Sequence, residues 1–127
     1  MSLNYIAVEG CTLEFQNGGT GTITITPGQT STKVKADGKA VYLTLKFTVS
    51  GYTGGEITVA KSGTGAGEIT ASAEHVKIEG HKALLEGDVS AEFTVTGQKP
   101  SGSSTTTATN QEVVKITKAG QSKAKGA

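Results

Sequence analysis

Apolar and polar residues alternate along almost the whole chain, in short runs cut by glycine. The sets are Ile6/Val8, Leu13/Phe15, Ile23/Ile25, Val34/Ala36, Val41/Leu43/Leu45/Phe47/Val49, Ile57/Val59, Val76/Ile78, Ala83/Leu85, Phe93/Val95 and Val114/Ile116. A period of two over short runs marks strands with one buried face, and no segment places apolar residues at i, i+3, i+4 and i+7. The pattern predicts an all-β chain of about ten short strands and no helix. The longest set makes "YLTLKFTV" (42–49) read as one strand.

Two turns are specified by chemistry. Asp37-Gly38 lies between "TKVKA" and "KAVYL", and a two-residue Asp-Gly loop supplies the positive φ angles of a type I′ hairpin. Glu79-Gly80 holds the same place between "VKI" and "HKALL", with glycine again able to take the left-handed position.

The two turns belong to an internal repeat. Gly21-Thr22-Ile23-Thr24 answers to Gly67-Glu68-Ile69-Thr70, Val34-Lys35 to Val76-Lys77, Lys39-Ala40 to Lys82-Ala83, and Leu43 to Leu85. Phe47-Thr48-Val49-Ser50-Gly51 answers to Phe93-Thr94-Val95-Thr96-Gly97. The second copy inserts His81 and the step Glu86-Gly87-Asp88, while Gly55-Glu56-Ile57-Thr58 reuses only the opening words. Duplication of a hairpin unit is the main organising fact of the chain. After Gly97, "QKPSGSSTTTATNQ" has no apolar period and reads as a linker or arm. The expected division is a duplicated hairpin domain over residues 1–97 and a Ser/Thr/Lys-rich extension over 98–127, with one strand in "EVVKITKAG".

Composition narrows the function classes. The 127 residues fit one domain, and 5% aromatic content predicts a core of small side chains. The net charge of +1 hides a basic C-terminal end, where Lys99, Lys115, Lys118, Lys123 and Lys125 face only Glu112. Every basic side chain is lysine, so bidentate recognition of guanine or phosphate has no support and no nucleic-acid partner is expected. Cys11 stands alone, which excludes an intramolecular disulfide. "MSLNYIAVEG" lacks the charged flank and apolar run of a signal peptide, and no segment approaches the ~20 apolar residues of a membrane span.

The second copy, "ASAEHVKIEGHKALLEGD", resembles the unit of the PAAR-repeat family, small conical proteins that sharpen the spikes of type VI secretion systems and related contractile tails. The matching positions are Ala71-Ser72, Val76-Lys77-Ile78, Glu79-Gly80, Ala83-Leu84-Leu85 and Gly87-Asp88; the first copy matches at Val34, Asp37-Gly38 and Ala40-Val41. The Pro-Ala-Ala-Arg tetrapeptide is replaced by Lys39-Ala40-Val41-Tyr42 and Lys82-Ala83-Leu84-Leu85, so the resemblance is to a PAAR-like unit. It implies a small cone of Gly-turn hairpins whose apex comes from Asp37, Gly38, Glu79, Gly80, Gly87 and Asp88, together with the glycine-rich stretch Ser62 to Gly67.

PAAR tips commonly hold zinc on three histidines and a cysteine, which makes Cys11, His75 and His81 the metal candidates. They are one ligand short of a closed tetrahedral site. Pairing Ile78 with His81 across the turn sets His75 on the opposite face from His81, so no cofactor is expected. A lone Cys11 at a strand start reads as a small buried hydrophobe. Catalysis has no motif behind it: the chain carries no G-x-S-x-G, P-loop, H-E-x-x-H or paired-Cys spacing. "GGTGTITIT" and "SGTGAGEIT" run into strand sequence without the helix N-terminus that would cradle phosphate, and read as flexible turns.

Two readings of different classes follow. The resemblance implies a non-enzymatic tip or cap on a contractile injection particle or phage tail. It would bind a trimeric β-helical spike at one copy per trimer, touch the target membrane transiently, and carry an effector on its C-terminal end. Such a protein would be made in the cytoplasm without a signal peptide and leave the cell as part of a particle or virion. The alternative is an immunoglobulin-like β-sandwich serving as a phage decoration or surface-adhesion module, which also has seven or more short strands with frequent turns.

Overall fold

A computed structural model describes residues 3–126, which form thirteen strands and no helix. The chain is all-β, as its alternation predicts. Five strands make the main sheet, in the order β11 (Ser104–Glu112), β10 (Phe93–Ser101), β7 (Gly63–Glu68), β6 (Lys46–Thr53) and β3 (Thr20–Ile25), each antiparallel to its neighbours. The other strands pair two by two: β1 (Asn4–Tyr5) with β13 (Lys125–Gly126), β2 (Thr12–Phe15) with β12 (Val114–Lys118), β4 (Thr30–Ala36) with β5 (Lys39–Tyr42), and β8 (Lys77–Ile78) with β9 (His81–Lys82). Among the described residues these pairs do not join into the second broad sheet of an immunoglobulin-like sandwich.

The sequence repeat becomes a repeat of topology. Each copy is a sheet strand, a Gly-turn hairpin and a second sheet strand: β3, β4–β5, β6 and then β7, β8–β9, β10. In each copy the two sheet strands pair with each other, and β6–β7 pairing joins the copies side by side. The repeated phenylalanines meet across β7, Phe47 and Phe93 standing edge to face at 5.4 Å. Register is not repeated: Thr22 faces Ser50 in the first copy, whereas Thr64, not Glu68, faces Thr96 in the second.

Two hydrophobic cores result. One gathers Phe47, Val49, Tyr52, Val95 and Ile57 from the main sheet and its connections with Val114 and Ile116 from β12. The other gathers Ala36 and Val41 from the first hairpin, Ile78 from the second with Ala83 and Leu85 just after it, and Ile6 and Val8 from the N-terminal segment. Alternation along three segments divides their residues between the cores. Ala7, Tyr42 and Leu84 belong to the first while Val41, Ala83, Leu85 and the flanking Ile6 and Val8 belong to the second. These segments touch through the bridges Ile6↔Leu85 and Val8↔Val41 and the bond from Ala7 N to Leu84 O at 2.8 Å. They form a wall buried on both faces, which is why "IAV", "AVY" and "ALL" are apolar at every position.

Ser62 to Gly67, expected at a flexible apex, lies mostly in β7, the central strand. Its glycines recur with period two because neighbouring side chains cover that face of the strand. A Cβ on Gly63 would lie 2.8 Å from Tyr52 Cβ, and one on Gly67 would lie 2.8 Å from Phe47 Cζ. They are close-packing glycines, not hinges.

The stretch "YLTLKFTV" is not one strand: β5 ends at Tyr42 and β6 begins at Lys46. Gln29 explains the break. Its buried carboxamide accepts from Lys46 N at 2.7 Å and Thr44 Oγ1 at 3.1 Å and donates to Thr26 O and Lys46 O, while its own carbonyl accepts from Leu43 N. One side chain thus satisfies the corner where the chain leaves the hairpin and enters the sheet. Val34 is also corrected, being exposed where alternation expects burial with Ala36. The register of β4 slips between Thr30 and Lys35, where Ser31 Oγ accepts from Lys33 N and Val34 N and turns the strand.

The expected division at residue 97 does not describe the fold. β10 crosses that boundary, and "QKPSGSSTTTATNQ" is mostly a continuous hairpin of β10 and β11 around Gly102-Ser103, not a linker. Beyond it β12 pairs with β2 and β13 with β1, so the basic end is woven into the body. Gln121 fastens it: Nε2 donates to Ile6 O and Ala124 O at 2.8 Å, and Oε1 accepts from Lys123 N and Ala124 N.

Candidate functional site

The site implied by the repeat is the pair of Gly-turn hairpins. In β4–β5, Ala36 pairs with Lys39, and Asp37 and Gly38 between them have φ of 53° and 77°. In β8–β9, Ile78 pairs with His81, and Glu79 and Gly80 have φ of 49° and 84°. Positive φ at both central residues defines a type I′ turn, so both turns take the conformation that their glycines permit.

The hairpins converge. Ala36 and Val41 of the first and Ile78 of the second share the smaller core, as does Ala83 directly after the second. The Ser31 hydroxyl donates to the Glu79 carboxylate, tying the root of the first hairpin to the turn of the second. The C-terminal segment braces the first turn, with Lys123 Nζ 3.1 Å from Asp37 Oδ1 and Lys39 Nζ donating to Gly120 O at 2.8 Å. The four turn residues themselves are exposed.

Gly87 and Asp88 do a different job. Gly87 has φ of 99°, and the buried Asp88 carboxylate accepts from Leu85 N at 2.9 Å, from Ser72 N at 3.2 Å and from Ser72 Oγ. Asp88 N also donates to Leu85 O, closing a tight turn. The Gly-Asp step is therefore an internal clasp that carries the chain from the second hairpin back to the sheet; it does not stand at an exposed apex with the other four.

Cys11, His75 and His81 are not brought into a site. His75 lies in a bend before β8 and His81 on β9, both exposed, whereas Cys11 packs against the larger core. Burial pushes the Cys11 thiol from 9.0 up to about 11, which keeps it protonated and unreactive near neutral pH. His81 lines a cleft of about 600 Å³ with Glu68 and Glu92, but among the described residues no three His, Cys, Asp or Glu side chains are grouped to hold an ion.

The most elaborate polar cluster escaped the sequence reading. Glu112 is fully buried: Oε2 accepts from the Tyr52 hydroxyl at 2.6 Å, and Oε1 accepts from Asn17 N at 2.7 Å, Val113 N at 3.1 Å and Gln16 N at 3.2 Å. Asn110 Nδ2 donates to the same tyrosine oxygen at 2.7 Å. Burial, and then the bond to Glu112, push the Tyr52 phenol from 10.0 up to about 12. The cluster holds the Gln16-Asn17 loop against the end of β11, and its groups are spent on one another. Only the pairing of a sole acid with a lysine-rich end marked Glu112 beforehand, and that pattern suggests solvation instead.

No protein-family model, curated protein sequence or solved structure matches the chain.

Proposed function

We propose that this chain is a non-enzymatic tip that caps the trimeric β-helical spike of a contractile injection particle or phage tail. The observation that supports the reading is the convergence of the two duplicated hairpins on one small core, their type I′ turns exposed and the hairpins tied together by Ser31 and Glu79. Turns of this kind make a narrow, stiff end, because each reverses the chain within two residues. The PAAR-like unit resembled by the second copy has the same ingredients in the same order.

The test is recovery of the tagged chain with its particle from the native source, followed by mass photometry and electron microscopy of the spike complex. One copy per three spike chains, seated on the axis with Asp37-Gly38 and Glu79-Gly80 outermost, is the expected result. Three copies bound symmetrically, or a spike that stays blunt in excess protein, would reject the assignment.

A further inference from the structure

The margin of the main sheet formed by β11 is unguarded. Its inner side makes unbroken pairs with β10 from Phe93↔Glu112 to Ser101↔Ser104, without a bulge. On its outer side, no backbone group of residues 104–110 bonds to any other element among the described residues. Natural edge strands are normally protected by charge, proline, a bulge or a covering element. The other strand of the same hairpin follows that rule, carrying Lys99 and Pro100 where it runs past β7. The opposite margin of the sheet follows it too: β3 has a bulge between Thr20 and Thr22 and lies across a cleft from Leu13 and Phe15. Over residues 104–110 β11 has none of these devices, and "STTTATN" carries no charge at all.

We infer that β11 pairs with the β11 of a second copy, antiparallel about a two-fold axis at Thr107. The strand is its own best complement. Centred there, Thr107 faces Thr107, Thr106 faces Ala108, Thr105 faces Thr109 and Ser104 faces Asn110, so no like charges meet and Thr105, Thr107 and Thr109 lie opposite threonines. A foreign strand would find no charge on this margin to recognise, whereas a copy matches it in length, polarity and register. An isologous contact of this kind uses the margin once on each chain and closes as a dimer. The inference concerns the free chain and does not rest on the spike-tip reading.

Sedimentation velocity of the full chain from low to high micromolar concentration tests it. The wild type shows a reversible monomer–dimer equilibrium. Thr107→Lys, which sets two lysines face to face at the axis, weakens it at least about tenfold. Mixing T107K with T107E restores a mixed dimer, because the axis makes residue 107 its own partner. Thr107 is exposed, so T107K keeps the wild-type thermal midpoint at concentrations where the wild type is monomeric. Hydrogen exchange of the unsubstituted protein reads the same contact, with amides in residues 104–110 gaining protection as concentration rises. A wild type that stays monomeric throughout, a dimer indifferent to T107K, or open-ended assembly overturns the inference.

Discussion

Glu112 has no access to solvent, and no lysine salt-bridges it among the described residues, yet it accepts hydrogen bonds from three backbone N–H groups and one phenol. The other buried polar residues, Gln29, Ser31, Asp88, Ser90 and Gln121, also bond to backbone groups where regular pairing stops. Short strands and many corners leave backbone groups that water cannot reach, and these side chains satisfy them. Their role was not legible in a sequence full of Ser, Thr and Gln, even where the Gly-Asp step marked Asp88, because what defines such a residue is the corner it reaches. The raised Tyr52 and Cys11 pKa values make this scale testable. Above about pH 9 the unfolded chain gives up the Cys11 proton that the folded chain keeps until about 11, and Tyr52 repeats this between 10 and about 12. The unfolded state then binds fewer protons, so stability falls as pH rises through that window. Urea midpoints measured from pH 8 upward should decline accordingly, with Cys11→Ala removing the lower part of the slope and Tyr52→Phe the upper part. At neutral pH, Tyr52→Phe should itself cost about 1.5–3 kcal/mol, since it takes a donor from a buried carboxylate. Flat midpoints across the window would show that neither proton is held by the fold.

Elements were legible where a residue type has one conformational meaning. Asp37-Gly38 and Glu79-Gly80 predicted their hairpins to the residue, and the repeat predicted that β6 and β10 play the same part. Elements were missed where the usual meaning was reversed. Glycine at 63, 65 and 67 suggested a loop, but packs a central strand against Tyr52, Val95 and Phe47. Threonines 105–107 suggested a linker because β11 is exposed on both faces there and so has no apolar period. Gly102-Ser103, with Gly102 at φ 63°, was the signal for that hairpin. The hairpin argument has a clean test at Gly80. A Cβ there meets no atom within 4 Å beyond its chain neighbours, so substitution chiefly probes backbone conformation. Gly80→Val should lower stability by roughly 1 kcal/mol or more in chemical denaturation, whereas Gly80→Asn, which tolerates the left-handed region, should cost less. Equal, negligible effects would mean that the turn does not hold its type I′ geometry in solution.

The molecule has two cores of modest size, each too small to hold this much chain independently, and what unites them is the wall of Ile6–Val8, Val41–Tyr42 and Ala83–Leu85. Alternation identified the residues of the wall that face the smaller core and overlooked Ala7, Tyr42 and Leu84, because a strand buried on both faces has no polar phase to count. On the proposed spike-tip reading, force on the smaller core would pass into the main sheet through packed side chains. It follows that the cores should unfold together. Leu84→Ala removes a fully buried side chain that follows the second hairpin yet packs in the larger core, so it should cost about 2–5 kcal/mol. The loss should appear at both ends of the molecule. Tyrosine fluorescence in a Tyr5→Phe background, which leaves only the buried Tyr42 and Tyr52, reports the larger core, and exchange of the Ala36 and Ile78 amides under increasing denaturant reports the smaller one. In wild type and variant alike the two readouts should give one midpoint, displaced by the same amount by the substitution. If instead the hairpin amides open at lower denaturant while tyrosine fluorescence holds, and Leu84→Ala moves only the fluorescence transition, the wall does not couple the cores.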